Sequence, residues 1–241
     1  VIGAFLNALG ILLGSFFGLA VRDPLSAPMQ HFFKSALGAF TALFGLRLVY
    51  ENIGGNFHAV LKQLLFAVLA VVLGNWIGRL LRLQKMSNRI GRHAATLVAA
   101  AQKNPPGQPA DGFNAATILF CAAPLGLIGA VVDGLSDFYF LLALKAVMDG
   151  LAMVSFMRLF RWTASLAAVP VLLFLDGLAL TAHYGALPWL AAHHLTGSVN
   201  TAAGLVVASM SLVIFEVRRV ELANYLPALA VAPLLAWWWP G

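Results

Sequence analysis

Charge is scarce in this chain: Asp, Glu, Lys and Arg together supply 10% of its 241 residues, against roughly 25% in a soluble domain. Cysteine is nearly absent. Cys121 stands alone, which excludes an intrachain disulfide and leaves the redox compartment unmarked. No long polar stretch exists that could form a separate soluble domain; 84–112, the longest, is loop-sized. Enzyme signatures are missing as well. There is no HExxH, no GxSxG and no phosphate-cradling P-loop. The DGxxAR motif of phospholipid-synthesising CDP-alcohol transferases is also absent, because Asp149-Gly150 runs on into Leu-Ala-Met-Val. The expectation is a protein that is not an enzyme and needs no cofactor.

What the chain has in excess is apolar surface. Hydrophobic residues make up 61% and the mean hydropathy is +0.87, more than one soluble core could hide. The fold class expected is therefore all-α: a polytopic integral-membrane helical bundle, one membrane domain over 1–241. A span needs about 20 apolar residues. Eight segments qualify: 2–20, 33–50, 60–82, 113–132, 138–158, 163–182, 195–215 and 222–239. The second is short and the sixth interrupted, so seven spans plus a re-entrant piece is the alternative count. The first segment lacks a basic leader and is expected to stay as a span, not to be cut away as a signal peptide.

Basic residues set the orientation. All but Arg47, Lys62 and Lys145 of the 15 fall in alternate connections, among them Arg22, Lys34, Arg79, Arg82, Lys85, Arg89, Arg92, Lys103, Arg158, Arg161, Arg218 and Arg219. The positive-inside bias makes those connections cytoplasmic and leaves both termini outside. Trp162, Trp237, Trp238 and Trp239 suit interfacial anchors. The net charge of +6 thus reflects membrane insertion, and no nucleic-acid partner is implied. The 84–112 connection starts basic and ends in Asn104-Pro105-Pro106-Gly107. Its part 90–101 is expected either as a solvated linker or as a short helix on the membrane surface, and the basic 79–103 region is a candidate contact for anionic lipid.

Gly10, Gly14 and Gly18 lie on one face of the first span, Gly74 and Gly78 on the third. Such spacing lets helix backbones approach within the bundle; a homodimer stays open as the assembly. Asn7-Ala8 with Ile11-Leu12 echoes Asn114-Ala115 with Ile118-Leu119, and Lys34-Ser35-Ala36-Leu37-Gly38 echoes the block Lys145 to Gly150. The echo suggests a three-plus-three inverted repeat, a common transporter design.

Ionisable groups within a bilayer mark pathways or paired sites. Lys145 and Asp149, four apart, share a helix face. Counted from the span ends, Lys145 and Asp176 lie roughly 10 Å deep and Asp149 roughly 17 Å. The three are expected at one level, the lysine between two carboxylates, as an ion- or substrate-binding cluster; the plainer alternative is a buried pair fixing helix register. Asn7, Asn114, Asn200 and Asn224 are further binding candidates, as carbonyl donors or interhelical bridges. Pro124, Gly126, Pro170 and Gly177 are helix-break candidates, with the 113–132 span the strongest. Asp133 and Asp137 are expected at the outer mouth. His183, His193 and His194 read as a solvated loop, and no metal site is called.

Several blocks resemble the bacterial YqgA/YdfK-like membrane family, domain of unknown function 554. They are Gly3-Ala4-Phe5-Leu6-Asn7 through Leu13-Gly14-Ser15, Ile118-Leu119-Phe120-Cys121 to Ile128-Gly129-Ala130, Asp133-Gly134, Leu144 to Gly150, and Ala223-Asn224-Tyr225-Leu226-Pro227-Ala228-Leu229. The resemblance covers almost the whole chain. It implies a bacterial plasma-membrane protein and draws attention to Lys145, Asp149 and Asn224, but brings no biochemical activity with it. Arg79 and Arg82 stand where the family usually has acidic or neutral residues. The function expected is a transporter or channel for an ion or small solute; the alternative is a non-transporting scaffold or regulator.

Overall fold

The computed structural model describes residues 2–20, 26–103 and 108–238. Arg22, Asn104-Pro105-Pro106-Gly107 and Trp239 lie outside them. Helices run α1 Ile2–Ala20, α2 Ala27–Asn52, α3 Phe57–Leu80, α4 Leu83–Lys103, α5 Pro109–Ala122, α6 Pro124–Ser136 and α7 Phe140–Phe160. A 3₁₀ segment, Arg161–Ala167, leads to α8 Ala168–Thr181, a π turn Ala182–Ala186, α9 Leu187–Ala192, α10 Thr196–Ile214, a second 3₁₀ segment Leu222–Tyr225 and α11 Ala228–Trp238. No strand occurs among the described residues.

Local chemistry explains the ends. Asn56 caps α3 by accepting from the Ala59 N–H at 2.9 Å. Proline in the first turn opens α2, α5 and α6, where a missing N–H removes no helical bond. The α5–α6 junction at Ala123 is extended, and the pair bends by 58° there. The residue before a proline is pushed out of the helical region, so Pro124 ends α5 one residue before starting α6.

Five helical runs among the described residues are long and apolar enough to cross a membrane, six if the bent α5–α6 pair counts as one span. The longest, Phe140–Ala192, contains 53 residues but reverses direction. Arg161 takes a positive φ of 59° and breaks the rod. Phe160 packs at Gly112, whereas the Ala179 carbonyl lies against Gly134, back beside the start of α7. The 222–239 segment forms only the shorter apolar helix Leu222–Trp238. Large apolar side chains such as Phe5, Phe16, Phe40, Trp76 and Leu173 point outward, as the bilayer requires.

The helices form two groups. In one, α1 runs parallel to α7: successive glycines Gly3, Gly10, Gly14 and Gly18 meet Leu142, Ala146, Gly150 and Met157 in that order. This group also holds α4, α5, α6 and α8. In the other, α2 is antiparallel to α10, with Gly45 against Gly204 and Ala208, and α3 is antiparallel to α11, with Gly74 at Ala228 and Gly78 at Asn224. Leu48, Leu125, Ile128, Leu141, Val206 and Val207 form an apolar core joining the groups. The glycine faces are therefore consumed inside the chain.

Three expectations need correction. The helix expected as one reading of 90–101 is present and longer, as α4, but it is not a surface helix alone: its Ala94 and Ala101 are buried in the core with Phe160 and Ala164. Its buried apolar residues pack against α5 and the end of α7. The 183–192 part is helical, with Leu190 buried on Leu135 and Val199 and His183 bonded to the Gly134 carbonyl at 2.9 Å, while His193 and His194 are exposed in the turn that follows, as expected of a solvated loop. Pro170 and Gly177 break nothing. Pro170 falls in the first turn of α8, where the preceding 3₁₀ turn leaves no α-type bond to lose, and α8 continues through Gly177.

Candidate functional site

Lys145 and Asp149 project from one face of α7 toward the α5–α6 bend. Lys145 is 1% exposed and Asp149 6%, and the lysine ammonium donates to Asp149 Oδ2. Asn7 of α1, fully buried, donates its Nδ2–H to the same oxygen at 2.9 Å. The other end of that amide, Oδ1, is buried without a donor. Unsatisfied buried acceptors are uncommon and mark strain, an ion or water.

The break supplies the rest of the enclosure. A Cβ on Gly126 would stand 2.6 Å from Lys145 Cε, so any larger residue there would push the lysine from its path across α6. The ammonium then lies 5.7 Å from the Phe120 ring centroid in α5, an attractive placement for a cation. Cys121 lies close enough to interact electrostatically with both Lys145 and Asp149. Beside the break, a 410 Å³ groove runs between α4, the bend and the 3₁₀ turn before α11, lined by Ile90, Thr117, Cys121, Pro124 and Ala223 among others.

Not every sequence candidate comes here. Asp176 is half-buried on α8 and interacts electrostatically with Asp133, and it does not pair with Lys145. The lysine therefore serves one carboxylate, not two. Asp133 is not at a solvated mouth. It is 1% exposed and accepts the Gly3 N–H at 3.0 Å, which places a carboxylate at the N-terminus of α1. Asp137 is exposed, ending α6 in a left-handed conformation. Asn114 is exposed on α5, although the repeat would align it with Asn7.

Asn200 is buried in the other helix group, donating to Asn52 Oδ1 at 2.9 Å. Asn224 is a clamp: it accepts the Gln84 N–H at 3.0 Å and donates to Glu221 at 2.8 Å, while Gln84 Oε1 accepts the Ala223 N–H at 3.0 Å. Sequence reasoning passed over Gln84, Asn52 and Phe120. A single polar or aromatic residue in an apolar background carries no spacing signal. No group of three His, Cys, Asp or Glu among the described residues could hold a metal ion.

Apolar helices turned outward around a buried ion pair, its carboxylate also held by an amide, at a bent helix define a polytopic membrane protein. The chain belongs to the DUF554 family, described as protein of unknown function, whose sequence profile matches residues 2–237. It is similar to the uncharacterized protein YqgA of Escherichia coli (strain K12), 28% identical over 240 residues, covering 99% of this chain and 97% of the relative. It is also similar to the uncharacterized membrane protein YdfK of Bacillus subtilis (strain 168), 20% identical over 241 residues, covering 97% and 94%. No solved structure matches the chain.

Proposed function

We propose that this protein moves an ion or small solute across a bacterial inner membrane, with both termini outside and α4 on the cytoplasmic side. Asp149 is the exchanging carboxylate and Lys145 its tethered counter-cation. One observation carries this: the Lys145–Asp149 pair sits at the α5–α6 bend beside the orphaned Asn7 Oδ1. A proton or small cation reaching Asp149 would displace the lysine and find a second oxygen ready at Asn7. Desolvation makes a buried pair poor glue, which favours a working role. Neither catalysis nor a cofactor is part of this assignment.

Solid-supported-membrane recordings under proton, sodium and potassium gradients test it. Wild type should give currents and Asp149→Asn, reconstituted equally, should not. Silence in both, with solute uptake also absent, sinks the proposal.

The second reading, a non-transporting scaffold, is favoured by how completely the pair is enclosed. In that case the exposed Lys85, Arg89 and Arg92 of α4 would meet a partner or anionic lipid, and a homodimer would have to use a surface other than the glycine faces.

A further inference from the structure

We propose a second site, a receptor for a small dipolar ligand bearing an ammonium and an anion, in the other helix group. It is independent of the Lys145–Asp149 assignment. It lies where α2 and α10 meet at Asn52 and Gly197, the end opposite the Lys34–Glu216 ion pair. Two adjoining cavities share Gln63, Phe66, His194 and Ala236 as walls.

The outer cavity, about 830 Å³, is lined by Lys62, His58 and His194. Lys62 makes no ion pair among the described residues; its ammonium rests 5.5 Å from the Phe66 ring centroid. This chamber supplies positive charge and N–H donors, so it seeks an anion.

The inner cavity, about 160 Å³, adds Asn52, Ser198 and Thr201 to the shared His194 wall. The Thr201 hydroxyl hydrogen goes to the Gly197 carbonyl and that of Ser198 to the Leu195 carbonyl. Both residues line the chamber with their hydroxyl hydrogens already committed, so toward a ligand there they can act only as acceptors. Gln63 is spent at both ends on Gly54. Behind Asn52, Asn200 Oδ1 is buried without a donor. This end seeks hydrogen-bond donors, as an ammonium offers. No acidic side chain among the described residues lines either chamber, so the cation must be held by neutral oxygens and the anion by Lys62.

A free amino acid carries this pairing, and so does a phosphatidylethanolamine headgroup. Isothermal titration of the detergent-purified full chain with L-alanine and with O-phosphoethanolamine, against propionate and ethylammonium, separates the possibilities. At least one dipolar probe should bind tenfold or more tightly than either single-charge control. L-alanine binding points to a free solute. Binding of O-phosphoethanolamine alone, with greater thermal stability in nanodiscs containing phosphatidylethanolamine than in phosphatidylcholine, points to lipid. Lys62→Ala should weaken the binding tenfold and Lys62→Arg restore most of it, while Gly177→Ala, which meets open space on α8, should leave it unchanged. Failure of both dipolar probes, or binding indifferent to Lys62→Ala, overturns the proposal.

Discussion

Asn7 donates to the carboxylate of Asp149 across 142 residues of sequence, tying α1 to α7 at the level where α7 carries its charge pair. The contact is set by the parallel glycine seam of the two helices, which brings Gly10 against Ala146 and Gly14 against Gly150.

Removing one charge should be worse than removing both. Lys145→Met leaves Asp149 with Asn7 alone and should lower stability by about 3–5 kcal/mol, the usual penalty for stranding one member of a buried pair. Lys145→Met with Asp149→Asn should recover much of that loss. Thermal melts of the two single variants and the double in one detergent measure the coupling. Strict additivity would contradict the pairing.

Glycines should divide by their neighbours. A Cβ at Gly14 would overlap the Gly150 carbonyl, and backbone cannot swing aside. Gly14→Ala should therefore destabilise by about 1–3 kcal/mol through overpacking. Gly177 has open space around it, and Gly177→Ala should be neutral or gain up to about 1 kcal/mol of helix propensity. The comparison needs only the two melting temperatures.

Cys121 reports on the groove at the bend. Gln84 and the Ala223–Asn224 backbone and side chain hold the start of α4 beside it through reciprocal hydrogen bonds. Gln84→Ala removes the Ala223 bond, worth about 1 kcal/mol, so opening should become several-fold more frequent. Labelling of the single cysteine by a methanethiosulfonate reagent should accelerate accordingly. An unchanged rate would mean that α4 does not control access.

Glu216, beyond the end of α10, accepts from Lys34 at 2.5 Å. That hydrogen bond and the lysine charge hold its carboxyl below the ordinary value of 4.5. A lowered folded-state value means the pair contributes at neutral pH, and the contribution fades as pH falls from about that ordinary value through the folded one. The pair is exposed to solvent, so the effect should be small and salt-sensitive. Glu216→Gln should lower the melting temperature slightly at pH 7 and not at all in strong acid.

Much of this architecture is local and was readable as such. Hydropathy over some 20 residues depends on nothing beyond the window, so the apolar helices follow from composition. Pro124 bends its span because proline acts on its own residue and the one before. The i, i+4 spacing alone sets Lys145 beside Asp149. The sequence by itself thus determined that the chain is a helical membrane protein with a charge pair on one helix face.

What lies across from each face was a matter of tertiary structure. The amphipathic period of α4 announces an apolar stripe but not its cover, which is α5 and Phe160. Asp133, just past the 113–132 span, was expected at a mouth, whereas the start of α1 buries it through Gly3. Lys145 was expected between Asp149 and Asp176, yet it crosses Gly126 toward Phe120 and meets only the first. Contacts between residues more than a hundred apart arise from how whole helices dock, and that depends on shape matching summed over many side chains. No single stretch of sequence contains that information.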